Sequence, residues 1–257
     1  MRFVGMGKEP VALAVETSSR IGSIALGFGD KIIGETSFSG FMKHSAEIFP
    51  DIMKLLSSSD IKPNQIEHIY ISNGPGSFTG LRIAATIAKM MFLAGPIKIV
   101  TVDSLDVVAF NAIEAVKEID RNSDQPDGAS KDGIIRIAVI IDAKRGQFFI
   151  AEYNVKRNSD ELCPIKLTDD LLLTAGEFCE KVNEEGTPVW VIGDGLLYYR
   201  QLFQNENINF IEEKYWSPRA ACLYRLGREM AKRNIFADPL KFKPNYLYRP
   251  DIIIKQR

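Results

Sequence analysis

Residues 69–93 run Ile-Tyr-Ile-Ser, then Asn-Gly-Pro-Gly-Ser-Phe-Thr-Gly-Leu-Arg-Ile, then Ala-Ala-Thr-Ile-Ala-Lys-Met-Met-Phe-Leu. Such an order admits little besides a strand, a tight turn and a helix. Gly74, Pro75 and Gly76 end the apolar run, and glycine there lets the backbone take positive φ and approach a neighbour closely. Ser77 or Thr79 supplies a hydroxyl to cap the helix that follows. Small residues then recur at Gly80, Ala84 and Ala88, leaving one helix face nearly bare and suited to close contact with another helix. Leu81, Ala85 and Met91 form one flank, while Ile83, Ile87, Met90 and Phe92 clothe the rest. This helix is apolar on more faces than its own sheet can cover, so the sequence predicts a second contact.

The chain has 257 residues, which suggests one or two domains and is enough to bury a sizeable core. Lys and Arg total 32 against 33 Asp and Glu, a net charge of −1. That balance supplies no long-range field for a polyanion, so strong nucleic-acid binding by this chain alone is not expected. The tail carries Lys241, Lys243, Arg249, Lys255 and Arg257, but interleaved apolar residues and proline read as an ordinary solvated segment. Cys163, Cys179 and Cys222 are odd in number and widely spaced, which fits a reducing compartment. His44 and His68 lie too far apart in sequence to pair on one helical face, so no metal site is expected. No apolar run reaches membrane-spanning length and the first ten residues lack a signal-peptide core. The expected location is the cytoplasm.

In chain order, Val11–Glu16, Ile21–Phe28 and Lys31–Ser37 read as an antiparallel meander. The turn Glu16-Thr17-Ser18-Ser19 sets hydroxyls and amides at a strand end. Such a turn either grips phosphate or simply uses Ser and Thr as turn residues. From His44 to Ser57, the apolar Ile48, Phe49, Ile52, Met53, Leu55 and Leu56 follow helical steps. Ser45 and Glu47 suit the first turn, and His44 reads as a cap or surface residue. Ile97–Val102 is a strand and Ser104–Lys117 a helix. The polar stretch 118–133 reads as a mobile loop, an insertion with no assigned role. Ile134–Asp142 and Gln147–Val155 form a hairpin, Thr174–Glu184 a helix with capping-box spacing, and Pro188–Ile192 a strand ending in Gly193-Asp194-Gly195. Ser217-Pro218 opens the last helix, to about Asn234. That helix is expected to return to the first half, giving domains of 11–104 plus 217–257, and 105–216.

Gly74-Pro-Gly-Ser-Phe-Thr-Gly-Leu-Arg-Ile83 resembles the identifying motif of the TsaB (YeaZ) family. Leu13-Ala-Val-Glu-Thr-Ser-Ser19, Lys43-His-Ser-Ala-Glu-Ile-Phe-Pro50, Thr101-Val-Asp-Ser104, Asp142-Ala-Lys-Arg-Gly146 and Pro244-Asn-Tyr-Leu-Tyr-Arg249 resemble further landmarks in the same order. The resemblance implies an α/β chain of two mixed sheets flanked by helices, the actin, hexokinase and Hsp70-like (ASKHA, ribonuclease H-like) fold. It implies no catalysis by the chain itself, but partnership with a TsaD-type subunit in making threonylcarbamoyladenosine at position 37 of tRNA. A homodimer, a TsaE-type ATPase, and ATP with magnesium are implied only around that partnership, and tRNA only through the complex. The implied pairing surface is the His44 and Phe78 helices, with His44, Ser45, Ile48, Phe49, Ile52, Phe78, Leu81, Arg82, Ala84, Ala88 and Met91 as candidate contacts. On that expectation, Ala84→Arg leaves the monomer folded and abolishes pairing.

An ATP-binding phosphotransferase or ATPase of the same fold is the alternative. It would use Thr17, Ser18, Asp142, Gly193 and Asp194 around a nucleotide. Against it, Ala143, Lys144 and Arg145 stand where TsaD-like relatives carry glycines, and side chains there crowd backbone amides that would cradle phosphate. A metallopeptidase, a label once given to this superfamily, would need paired ligands that the two histidines do not supply. Ser77 misses the G-x-S-x-G spacing by one place, so a serine triad is not expected.

Overall fold

A computed structural model describes residues 9–38, 44–122, 133–156 and 164–245. The chain divides into two compact units. Unit 1 draws on Met1–Asn73, Ser77–Val102 and Arg219–Pro244, and unit 2 on Gly74–Gly76, Asp103–Pro218 and Asn245–Arg257.

Unit 1 begins with strands β1 (Val11–Glu16), β2 (Gly22–Phe28) and β3 (Lys31–Phe38), then helix α1 (His44–Ser58), β4 (Ile66–Ser72), α2 (Phe78–Ala94) and β5 (Lys98–Val102). The sheet order is β3-β2-β1-β4-β5, with an antiparallel meander on one side and parallel pairs on the other. Alternation along each strand decides which helix covers which face. Leu13 and Val15 of β1, Ile24 and Leu26 of β2 and Ile69 and Ile71 of β4 join Ile48, Ile52 and Leu56 of α1 and Ala84, Ile87 and Ala88 of α2 in one core.

Unit 2 contains α3 (Ser104–Asn122), β6 (Ile134–Lys144), β7 (Gln147–Lys156), β8 (Ile165–Lys166), β9 (Leu171–Thr174), α4 (Ala175–Glu185), β10 (Val189–Ile192), α5 (Leu196–Tyr199) and β11 (Ile208–Phe210). Its sheet runs β11-β10-β6-β7-β8, with β9 also paired to β7. β6 and β7 are antiparallel, while β6, β10 and β11 are parallel. This repeats the β2-β1-β4-β5 portion of unit 1, which is the ribonuclease H-like doubling expected of the ASKHA fold. The chain then returns to unit 1 as α6 (Ala220–Lys232). α6 lies against β1, β2, β4 and β5, where Tyr224 sits over Gly27 and Tyr70 sits over Gly227.

Two expectations change. α3 does not stop at Lys117 but continues to Asn122, so the start of the 118–133 stretch is helical. Glu118 accepts a 2.5 Å hydrogen bond from Tyr215 and pairs with Lys214 at 2.6 Å, tertiary contacts that no local pattern announces. Residues 123–132 of that stretch lie outside the described residues. The short strands β8, β9 and β11 had no counterpart in the sequence reading.

Unit 2 is tied across β6, β7 and α4 by an ion network. The buried Glu152 carboxylate accepts from Arg136 and Lys181, and both cations also reach Glu185. Burial pushes Glu185 upward, but the hydrogen bonds from Arg136 and Lys181 outweigh it and hold that carboxyl below its usual range. Removing one partner of a buried pair costs more than the pair contributes, because the remaining charges lose their compensation. We predict that Glu152→Gln lowers the stability of unit 2 by about 3 kcal/mol. Trp190 and Trp216, the chain's 2 tryptophans, both lie in this unit, so urea unfolding followed by tryptophan fluorescence reads the loss.

Candidate functional site

The turn after β1 and the start of α2 form one locked assembly within unit 1. Ser77 caps α2, its hydroxyl accepting from the Gly80 amide at 3.3 Å. Its own amide donates to the Ser18 carbonyl at 2.7 Å. Thr17 Oγ1 donates to the Gly80 carbonyl at 2.7 Å. A Cβ on Gly80 would stand 1.8 Å from the Thr17 carbonyl oxygen, well inside contact distance. Glycine at 80 is therefore set by close approach to the turn.

The same turn engages Glu16, which is wholly buried. Its carboxylate accepts from the Ser18 amide at 2.6 Å and from the Ser18 hydroxyl at 2.5 Å, and also from Ser72 on β4. A buried carboxylate is tolerated when hydrogen bonds replace its water. Thr17 and Ser18, candidates for gripping phosphate, thus hold α2 and Glu16 in place.

The other three candidates lie in unit 2. Asp142 ends the regular part of β6, where it accepts from the Lys144 amide at 2.7 Å and pairs with Lys144 Nζ at 2.6 Å. Lys144, Arg145 and Gly146 all take left-handed backbone, at φ of 69°, 56° and 75°. The Asp142 contacts brace this hairpin. Gly193 also has positive φ, 131°, and a Cβ there would come within 2.2 Å of the Ile140 carbonyl. A Cβ on Gly195 would come within 2.9 Å of the same oxygen. The Gly193-Asp194-Gly195 turn owes its glycines to this approach against β6, with Asp194 between them.

α1 and α2 present a different kind of surface. Facing away from the core of unit 1, Phe49 and Met53 on α1 and Phe78 and Met90 on α2 are each about half exposed, at 49%, 50%, 52% and 54%. Leu93 at the end of α2 is more open still. The Arg82 guanidinium lies 3.9 Å from the centre of the Phe78 ring, a cation–π geometry that steadies an exposed aromatic. Large apolar side chains grouped on solvent-facing helix surfaces mark sites of association.

Against known proteins, residues 39–252 match the family model described as TsaD, tRNA N6-adenosine threonylcarbamoyltransferase. The chain is 29% identical over 238 residues to the tRNA threonylcarbamoyladenosine biosynthesis protein TsaB of Bacillus subtilis (strain 168), covering 91% of this chain and 93% of that one. The chain belongs to the TsaD family, on its TsaB (YeaZ) side. The TsaB protein of Escherichia coli (strain K12) is 27% identical over 146 residues, covering 57% of this chain and 56% of that one. Among solved structures, YeaZ from Pseudomonas aeruginosa superimposes with a TM-score of 0.74 at 19% identity, covering 93% of this chain and all of that one. The fold is that of YeaZ.

Within this TsaB-type chain, the structure separates the candidate contacts. Ile48, Ile52, Ala84 and Ala88 sit in the core of their own unit, and Leu81 is equally buried. They are not available to a partner, which corrects the expectation for these five. The bare Gly80, Ala84, Ala88 face closes on the chain's own turn and sheet rather than on another helix. Phe49, Phe78 and Arg82 are exposed and Met91 is partly buried against the core. The side chains of His44 and Ser45 lie outside the described residues. Met53 and Met90, half exposed on the same helices, were not among the candidates. The signal for Met53 was an apolar arc on α1 wider than one sheet face requires. His68 is half-buried beside Tyr70 and Phe236, and burial, then Lys98, lowers its pKa. Among the described residues, no group of three or more His, Cys, Asp or Glu is placed to hold a metal ion.

Two substitutions follow from these placements. Ala84→Arg buries a charge in a packed core and is expected to unfold unit 1, whereas Thr86→Arg on the exposed face changes stability by less than about 0.5 kcal/mol. Gly80→Ala forces α2 off the Thr17 carbonyl and is expected to cost about 3 kcal/mol. Thermal unfolding followed by circular dichroism distinguishes these outcomes, and a wild-type melting curve for Ala84→Arg would contradict the core assignment.

Proposed function

We propose that this chain is the non-catalytic partner of a TsaD-type subunit in threonylcarbamoyl transfer to adenosine 37 of tRNA. It pairs through the outward faces of α1 and α2, using Phe49, Met53, Phe78 with its Arg82 brace, and Met90. The partner supplies the metal, the nucleotide and the chemistry, and tRNA meets this chain only within the complex. A TsaE-type ATPase joins that complex, and the same apolar face accounts for a homodimer when the TsaD-type subunit is absent. The setting is the cytoplasm. Among the described residues, no helix is long and apolar enough to cross a membrane.

The observation that carries this reading is a pair of half-exposed apolar helix faces on a chain whose relatives are named tRNA threonylcarbamoyladenosine biosynthesis protein TsaB. The strand-end groups support it from the other side. Ser18 serves Glu16, Asp142 serves Lys144, and the glycines at 193 and 195 serve the approach to Ile140. Each of these turns already has a structural occupation. For the ATP-hydrolysing alternative, no comparable observation exists.

The test is reconstitution with the TsaD-type and TsaE-type proteins of the same genome, tRNA and the threonylcarbamoyl donor, with modified nucleoside measured by mass spectrometry. Modification is expected to require this chain. Phe49→Glu and Met53→Glu, both at exposed positions, are expected to lower it more than tenfold, corresponding to about 1.4 kcal/mol of lost association or more, while the isolated protein keeps its melting temperature. Undiminished modification without the chain would overturn the proposal. Unchanged modification by both variants would remove the α1/α2 face from it.

A further inference from the structure

The net charge of −1 hides a division between the two units. Unit 1 carries 17 Lys and Arg against 10 Asp and Glu, a net of +7, while unit 2 carries 15 against 23, a net of −8. Such asymmetry within one chain points to a charged partner for one part of it. Among the described residues of unit 1 the balance is 14 against 10, and most of that excess gathers at one edge of the sheet. Six cations there, Lys89, Lys98, Lys232, Arg233, Lys241 and Lys243, meet three acids, Glu67, Glu229 and Asp238.

After α6 the chain runs as a strap around the outer edge of β5. Asn234, at a φ of 58°, turns it off the helix. The Phe236 ring then packs edge-on against His68 of β4, 5.4 Å between centres, on the sheet face that carries Tyr70 and α6. The Ala237 amide donates to the Ile99 carbonyl at 2.8 Å. A turn closed by bonds from the Leu240, Lys241 and Phe242 amides to Asp238 carries the chain over the edge, and Phe242 packs against the α1/α2 core on the other face. Each ring seats a lysine: Lys98 Nζ lies 4.6 Å from the centre of Phe236, and Lys89 Nζ 4.8 Å from that of Phe242. This contact orders an ammonium without cancelling its charge. Carboxylates neutralise only part of the row. Glu229 takes Lys232 at 2.7 Å and, further back on α6, Arg228 at 3.3 Å, while Asp238 faces Lys241 at 3.4 Å. Among the described residues, Lys89, Lys98, Arg233 and Lys243 have no carboxylate at ion-pair distance, and the last three are exposed.

We propose that this strap-wrapped edge binds the phosphate backbone of a nucleic acid through Lys89, Lys98, Arg233, Lys241 and Lys243. The identity of that nucleic acid as tRNA rests on the pairing proposed above; the charge of the edge does not. Like charges left unneutralised on one surface repel one another, and a phosphate backbone relieves this without needing an apolar groove. Release of counterions from the phosphates drives such contacts, so they are strong in low salt and fade as salt rises. The acidic unit 2 repels the same ligand. The chain alone is therefore a weak binder, and strong binding belongs to the complex.

Fluorescence anisotropy of an end-labelled, unmodified tRNA transcript tests this, titrated with the full chain alone and with the chain mixed with the TsaD-type subunit, over about 50 to 200 mM salt. Lys98→Gln, Arg233→Gln and Lys243→Gln together are expected to weaken binding about tenfold or more near 100 mM salt, and to flatten the slope of log affinity against log salt by about two. Lys31→Gln, on β3 at the opposite edge of the sheet, is expected to change neither. Light scattering on the same mixtures reads pairing separately. If no complex forms while the triple variant of the chain alone still loses tRNA, the pairing proposal falls and this surface stands. A wild type without salt-dependent binding, or a triple variant that binds as wild type does both alone and in the complex, would overturn the inference. So would a triple variant that no longer joins the TsaD-type subunit, because the edge would then belong to the protein interface. Equal weakening by Lys31→Gln and Lys98→Gln would also overturn it, since binding would then follow total charge.

Discussion

Unit 1 depends on one close approach, that of the α2 start to the turn after β1. A backbone without a side chain at Gly80 meets the Thr17 carbonyl, and Ser77, Thr17 and Ser18 exchange hydrogen bonds around it. That contact fixes where α2 begins and seats Ala84 and Ala88 in the sheet core. Packing at crystal-like density leaves a helix placed this way little freedom to rotate. Its opposite face, with Phe78, Arg82 and Met90, is thereby turned outward. One glycine thus links the most recognisable motif in the sequence to the surface through which the protein is proposed to act.

The strand-end turns fit the same picture. In a nucleotide-handling member of such a fold, free amides at these turns would face phosphate. Here the Ser18 amide is bonded to Glu16 and the Lys144 amide to Asp142. A chain with this architecture, apolar surface on two helices and turns occupied by their own side chains is well suited to assembling with a catalytic relative. Fold alone does not decide that question, since one fold hosts many activities; the proposal rests on the turns and the helix faces.

Much of this was legible because local chemistry and tertiary structure agree. The meander, the strand–turn–helix around Gly74, the Ser77 cap and the capping box of Thr174 with Glu177 all formed where residue types predicted them. Helical spacing shows which residues share a face but not what that face meets. Small residues at 80, 84 and 88 suit a helix or a sheet equally well, and the sheet took them. The continuation of α3 through Glu118 rests on Lys214 and Tyr215, 97 residues away at the latter contact. β8 is two residues long, too short for alternation to show. The ion cluster around Lys166 joins Asp103 and Asp106 at the start of α3 to Asp170, with Tyr153 of β7 bonded to Asp106, partners that no spacing rule connects.

The central claim is that the outward α1/α2 face pairs with a TsaD-type subunit. Light scattering after size exclusion, on this chain alone and mixed with the TsaD-type protein of the same genome, tests it most directly. The account predicts a one-to-one complex in the mixture. Two species eluting independently, with or without ATP and magnesium, would contradict it.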